Sequence, residues 1–414
     1  MSRSASSLLL TSLVAASLGF GCRKSEQSEP APNTGSAEQK AAPAAAPAEE
    51  TIKIGQTMPY SGPASAYGAI GKLHAKYFEM INKAGGINGK KIELVSLDDS
   101  YSPPKSVEQV RKLVEQDKVL AIFNPVGTPS SSAVQKYLNE KKVPQLFVAT
   151  GANKWADPQN FPWTIGFNPS YRVEGRTYAE DILKNTPKAK IAILYQNDDF
   201  GKDILAGIKE GLGDKKDMIV AEASYEATAP TIDSQMVTLK GSKADVFINV
   251  ATPKFAAQAI RKFRDLGWKA KHYVVNVSAS IGSVLTPAGL ENAKGLYTVT
   301  YMKDATDPKL QNDADVKKFL EFMKTEHPEG NPKDGSNAYA YVTAQTLVEV
   351  LKKCDGDYSP ANIMKQAANL KDFHPDLLKD GININTGAND FEAFDKLILS
   401  TFDGTTWVDV AGAS

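Results

Sequence analysis

Two successive series of short apolar strands alternating with amphipathic helices constrain this chain more than any other feature. The first opens with a strand at Ile52–Met58, followed by a helical face of Ile70, Leu73, Tyr77 and Ile81 that stops at Gly85-Gly86. Strands at Lys91–Leu97, Val119–Phe123 and Gln145–Ala149 follow, with helices at Lys105–Gln116 and Ser130–Glu140 between them. The second series has strands at Lys190–Tyr195, Met218–Ser224, Ala244–Val250 and His272–Asn276, separated by helices that end near Gly213, Lys240 and Leu266. A parallel strand needs a crossover of about a dozen residues, and a helix supplies it, so this spacing predicts parallel sheets with right-handed crossovers. Two series predict two doubly wound lobes in an α/β chain. Ligands of open sheets sit beyond the carboxyl ends of the strands, so two such lobes can share a ligand across a cleft.

The N-terminus is of a different kind. Arg3, a mostly apolar run from Leu8 to Phe20 and small residues before Cys22 read as an export signal over residues 1–22. The run is interrupted by Thr11, Ser12 and Ser17 and is shorter than the roughly 20 apolar residues that span a bilayer. Leu18-Gly19-Phe20-Gly21-Cys22 resembles a bacterial lipobox with its Leu one place early, which implies lipidation of Cys22; ordinary cleavage with Cys22 as a spare thiol is the alternative. Residues 23–50, rich in Ala, Pro, Ser, Glu and Gln without apolar periodicity, read as a flexible tether. Cys354 lies on a predicted helix and reads as a small buried hydrophobe.

Several kinds of chemistry are disfavoured. With 48 basic and 48 acidic residues and no cluster of Lys and Arg, the chain is not built for nucleic acid. It contains no P-loop, no GxGxxG opening a helix, no GxSxG and no HExxH, so no cofactor is expected. Its four histidines are scattered without metal-ligand spacing, so no metal is expected. Asp98-Asp99 and Asp198-Asp199 stand at strand ends, where they suit loop and helix capping better than acid/base catalysis. An enzyme is disfavoured, although catalytic groups need not be adjacent in sequence.

Ile52-Lys53-Ile54-Gly55, Ser61-Gly62-Pro63, Tyr67-Gly68 and the block Ile81-Asn82-Lys83-Ala84-Gly85-Gly86-Ile87-Asn88-Gly89-Lys90 resemble the branched-chain amino acid (Leu/Ile/Val) periplasmic binding proteins. Asp98-Asp99, Pro104, Val143-Pro144 and Asn197-Asp198-Asp199-Phe200-Gly201 extend the resemblance, which covers residues 51–410. It implies the type I periplasmic-binding fold: two lobes joined by three crossovers near 168–171, 299–302 and 382–387. Lobe I would be 51–169 plus 301–385, and lobe II 170–300 plus 386–414.

The resemblance also implies a site. A ligand carboxylate would be held by the loops carrying Thr128 and Ser130 and, one strand on, Ala149, Thr150 and Gly151. Hydroxyls and N–H groups at helix N-termini suit an anion, although Ser and Thr there also serve simply as caps. Tyr67, Tyr171 and Phe200 would wall the pocket, and Thr252 stands where a tyrosine is expected. Amino-acid binders of this type carry an acidic residue for the ligand ammonium after the strand ending near Val275; here Asn276, Val277 and Ser278 occupy that place. A buried ammonium without a counter-charge loses several kcal/mol. A hydrophobic or aromatic carboxylate, an amide or a urea-like solute all stay open. The implied role is the solute-binding component of an ABC importer, closing about a hinge on a small carboxylate and delivering it as a monomer to a membrane permease. A periplasmic sensor of amides partnering a separate receptor is the alternative.

Overall fold

The structure, a computed structural model, describes residues 51–411; the export signal, Cys22 and the tether lie outside them. The first sheet is wholly parallel, in the order β2-β1-β3-β4-β5, from β1 (Ile52–Met58), β2 (Ile92–Asp98), β3 (Ala121–Phe123), β4 (Gln145–Val148) and β5 (Thr164–Gly166). Its crossovers are α1 (Gly68–Lys83), α2 (Pro103–Glu115) and α3 (Thr128–Lys141). The central strands β3 and β4 are buried at every residue, as strands covered on both faces must be.

The second sheet has the order β12-β11-β10-β9-β8-β6-β7. Its parallel part is β6 (Ile191–Gln196), β7 (Ile219–Tyr225), β8 (Val246–Val250), β9 (Lys271–Val274) and β10 (Tyr297–Thr300). The helices around it are α4 (Tyr171–Asn185), α5 (Asp199–Leu212), α6 (Asp233–Gly241), α7 (Pro253–Asp265) and the short turns α8 (Thr286–Ala288) and α9 (Leu290–Ala293). α10 (Ala314–Thr325), α11 (Gly335–Lys353) and α12 (Pro360–Ala367) return to the first sheet, where α11 buries its apolar face in the same core as Leu73 and Phe78 of α1. Cys354 is buried at the C-terminal end of α11.

Two features depart from the sequence reading. β11 (Ile398–Phe402) and β12 (Trp407–Asp409) are antiparallel, β11 pairing with β10 and β12 with β11. The hairpin between them is closed by Asp403, whose carboxylate accepts the backbone N–H groups of Thr405 and Thr406. The third passage between lobes also comes later than 382–387. Ile384, Phe391, Ala393 and Phe394 all pack in the first core, Leu397 packs against both, and Leu399 is buried in the second. Aromatic packing holds the segment: Phe394 stands edge-on to Phe167 with ring centres 5.2 Å apart and lies 4.8 Å from the ring of Tyr301. Phe167 and Tyr301 flank the other two passages, Asn168–Ser170 and the turn after Thr300, so one aromatic cluster ties the three together.

Candidate functional site

The carboxyl ends of both sheets face one cavity of about 170 Å³. Loops of the first lobe bring Tyr67, Tyr101, Thr128 and Ala149 to it, and loops of the second bring Tyr171, Phe200, Thr252 and Asn276. Thr128 is there because it opens α3, with Pro129 as the next residue, where a missing N–H costs the helix nothing. Its hydroxyl lies 2.5 Å from that of Thr150. Tyr171 opens α4, and its ring meets that of Phe200 edge-on at 5.1 Å.

Four residues expected in the site stand behind its wall. Ser130, the third residue of α3, is fully buried, and its hydroxyl has no hydrogen-bond partner. Thr150 and Gly151 border a separate cavity of about 20 Å³, and the Gly151 carbonyl accepts the backbone N–H of Tyr171 at 2.8 Å. The Ser278 hydroxyl donates to the Ala251 carbonyl at 2.6 Å and is likewise buried. The Ser130 and Ser278 hydroxyls are enclosed or used within their own lobe, and the Gly151 carbonyl is taken by Tyr171 across the lobes, which periodicity cannot reveal.

Tyr101 joins the lining without a signal in the sequence, and Tyr225 and Gln196 back Thr252 from behind it. Tyr225, the last residue of β7, brings its hydroxyl to Thr252, whose backbone N–H it accepts at 2.9 Å. Thr252 and Tyr225 both donate to Oε1 of Gln196 at 3.1 Å, and Gln196 donates to Asp198 at 2.6 Å. A tyrosine hydroxyl thus reaches the neighbourhood where the resemblance expects one, but from a different strand. Tyr101, after β2, spans the cleft toward Gln196 at 3.4 Å, and Tyr67 donates across it to the Val277 carbonyl at 3.0 Å. Burial raises the pKa of Tyr67, Tyr101 and Tyr171, so all three are neutral phenols at physiological pH.

Of the charged residues lining the cavity, Lys303, Lys379 and Asp304 are paired within the chain, and Lys333 lines it as well. Lys303 lies 3.0 Å from both Asp313 and Asp315, and Lys379 donates to Thr300 and pairs with Asp409. Asp304 accepts the hydroxyls of Thr306 and Thr406. The two acid pairs act as caps and ties: Asp98 accepts from Ser61 and Lys105, Asp99 from Ser106 and the Tyr101 N–H, Asp198 caps α5, and Asp199 pairs with Lys154 at 2.8 Å. Among the described residues no group of His, Cys, Asp or Glu is placed to hold a metal ion, and no helix is long and apolar enough to cross a membrane.

One acid does stand beside the loop after β9. Glu174 of α4 is buried beneath it and accepts the Asn276 N–H at 2.7 Å and the Tyr178 hydroxyl at 2.6 Å. Burial pushes its carboxyl up to about 7, against the opposing pull of those two hydrogen bonds. The folded chain therefore keeps a proton that the unfolded chain releases near pH 4.3, so stability falls as pH rises from about 4.5 to 7, by on the order of 3 kcal/mol. Glu174→Gln should flatten that part of the profile and leave the variant more stable than the parent at pH 8. Urea unfolding midpoints measured from pH 4.5 to 8 check this; parallel profiles for the two proteins would refute it.

Comparison with known proteins agrees with this architecture. The family model described as "Periplasmic binding protein" matches residues 51–397. The chain belongs to the periplasmic binding protein family. Among curated periplasmic binding proteins it is 24% identical over 351 residues to Leu/Ile/Val-binding protein homolog 7 of Brucella suis, a match covering 80% of this chain and 83% of the relative. It is 25% identical over 324 residues to the Leu/Ile/Val-binding protein of Escherichia coli, covering 76% and 82%. A substrate-binding periplasmic protein from Ralstonia solanacearum superposes with a TM-score of 0.78 at 22% identity, over 87% of this chain and all of the other. The type I periplasmic-binding fold, two lobes built on parallel-dominated sheets, is the fold of this chain.

Proposed function

We propose that the chain is the solute-capturing component of an ABC importer, exported and held by a lipid on Cys22. It takes a small carboxylate with an uncharged, apolar or aromatic body and hands it to a membrane permease as a monomer, without chemistry on it. The lobes close on the solute by turning about the passages at 168–170, 300–303 and 395–398. The observation that carries this reading is the character of the cavity wall. Thr128 sits at the start of a 14-residue helix, where a carboxylate is favoured by the hydroxyl and the helix dipole together. The opposite wall is made of Phe200, Thr252, Asn276 and Val277, and Asp304, the one carboxylate among the described residues that line the cavity, is already taken by Thr306 and Thr406. Glu174 lies beneath the loop and holds its backbone. An ammonium entering here would lose its water for weak partners, whereas an apolar body would lose nothing.

The Leu/Ile/Val-binding relatives make leucine the natural competitor. Calorimetry against leucine, isoleucine, valine, benzoate, phenylacetate and cinnamate is expected to rank the aromatic acids above the amino acids. Submicromolar leucine or valine binding with the aromatic acids silent would overturn the ligand class. The neutral Thr252 hydroxyl on the wall, backed by Gln196 and Tyr225, favours a second reading, a sensor of amides that partners a separate receptor. Acetamide and urea in the same panel test it.

A further inference from the structure

One side of the cleft is closed by a contact made entirely of the chain's own groups. From the second lobe comes the segment Ser280–Ser283, directly after the loop that carries Asn276; from the first comes Asn331–Gly335, leading into α11. Ile281, Val284 and Leu285 pack in the second lobe's core and Ala338 and Tyr339 in the first, so the contact joins separately anchored bodies. Asp334 caps α11, its Oδ1 accepting the Ser336 N–H at 3.0 Å. The same oxygen lies 2.9 Å from the Ser280 hydroxyl and 2.9 Å from that of Ser283, while the Ser280 hydroxyl accepts the Gly335 N–H at 3.0 Å. Beside them, Gly282 donates its backbone N–H to the Lys333 carbonyl at 2.7 Å. That backbone-to-backbone approach depends on the missing side chain, since a Cβ at Gly282 would stand 2.8 Å from the carbonyl carbon of Lys333 and 2.8 Å from the nitrogen of Asp334.

We propose that Ser280–Ser283 and the Asp334 cap of α11 form a clasp that holds the two lobes together independently of the solute, with Gly282 as the residue that lets it shut. The clasp rests on the reading that the lobes open and close. Every donor and acceptor in it belongs to the protein, so no ligand atom is needed to form it. A single carboxylate oxygen takes two hydroxyls from the opposite lobe without leaving its own helix. Closure therefore does not uncap α11 on one side or strand a carboxylate on the other. A binding protein whose competent closed state is already populated loses less apparent affinity to the work of closing. The clasp sets that fraction, and with it the affinity for every solute the cleft accepts.

Small-angle X-ray scattering of the ligand-free protein tests this with two independent changes. Gly282→Val drives a branched side chain into the opposing backbone at Lys333 and Asp334, beside the cavity wall. Ser280→Ala combined with Ser283→Ala removes the hydroxyls and leaves Asp334 capping α11. The parent is expected to scatter as the clasped structure does, the valine variant to show a larger radius of gyration, and the double alanine variant to fall between them. Unchanged circular dichroism spectra would show that the lobes themselves remain folded. Equal radii for parent and Gly282→Val, whether compact or open, would overturn the clasp. Repeating the scattering with saturating phenylacetate and with L-leucine separates the two ideas. If a ligand compacts parent and valine variant alike from the same starting radius, hinge closure stands and the clasp falls. If radii are equal and neither ligand changes any form, both fall.

Discussion

Gly151→Val is expected to weaken solute binding about a hundredfold while leaving a folded protein. Gly151 does not line the interlobe cavity; it sits where the loop after β4 passes the first interlobe passage. A Cβ there would stand 2.0 Å from the Pro169 carbonyl oxygen and 2.9 Å from the ring of Tyr171. The first of these is backbone and cannot rotate away, so the Asn168–Ser170 passage must move. With it would go the hydrogen bond from the Tyr171 N–H to the Gly151 carbonyl, and the Tyr171 ring that faces Phe200. An overpacked site of this kind costs roughly 1–3 kcal/mol, and nearly all of it falls on the wall of the cavity. Calorimetry with whichever acid of the panel binds the parent reads the loss directly. Full affinity in the variant would mean that the passage yields freely, and that Tyr171 is not held by it.

Phe394→Ala should be the most destabilising single change at the hinge. The side chain is 4% exposed and lies between Phe167 and Tyr301, the residues that flank the other two passages. Truncating a buried phenylalanine costs about 3–5 kcal/mol, the lost transfer energy plus the cavity left behind. At about 2–4 °C per kcal/mol for a domain of this size, the thermal midpoint should drop by roughly 10 °C. Phe394→Leu, which keeps most of the volume, should cost less than about 1.5 kcal/mol. If the third passage lay at 382–387, residue 394 would be a second-lobe residue remote from Phe167. A small loss on truncation, within about 1 kcal/mol, would favour that placement.

The sequence shows its strands and helices well because their signal is local. The run Ile191–Gln196, the face of Leu73 and Tyr77, and the Gly85-Gly86 stop each lie within a few residues of one another. The two-lobed class follows from their alternation. What the sequence conceals is pairing at long range. Nothing in Ile398–Phe402 says that it will lie antiparallel against Tyr297–Thr300, because a short apolar strand reads the same in either direction. Phe394 looks like any loop phenylalanine until Phe167 and Tyr301 are brought to it. The site divides in the same way. Tyr67 and Phe200 sit in motifs that carry a resemblance, and Thr128 in a loop to which the resemblance gives a role. Tyr225 and Gln196 come to stand behind Thr252 only through the register of β6, β7 and β8, and Glu174 comes to the loop after β9 only through the packing of α4 under it. Ser130 and Ser278 satisfy a hydroxyl-rich pattern, yet the fold turns one inward and gives the other a carbonyl of its own.

The interleaving of the two cores also bears on how the chain can be assembled. The first sheet is spelled out between Ile52 and Gly166, but its core is completed by α11 and by residues up to Phe394. The second sheet is spelled out between Ile191 and Thr300, but β10 gains its outer neighbour only when Thr401 meets Tyr297. Neither lobe can finish as an independent bead on the way from the first residue to the last. Until its final hundred residues are available, the chain is an incomplete pair of half-domains, one of them presenting a bare strand edge to its surroundings. Such pairings impose slow closure of long loops, so folding is a late and collective event rather than a sequential one. A polypeptide with this order of elements stays threadable for most of its synthesis, and it needs protection from its own kind for as long.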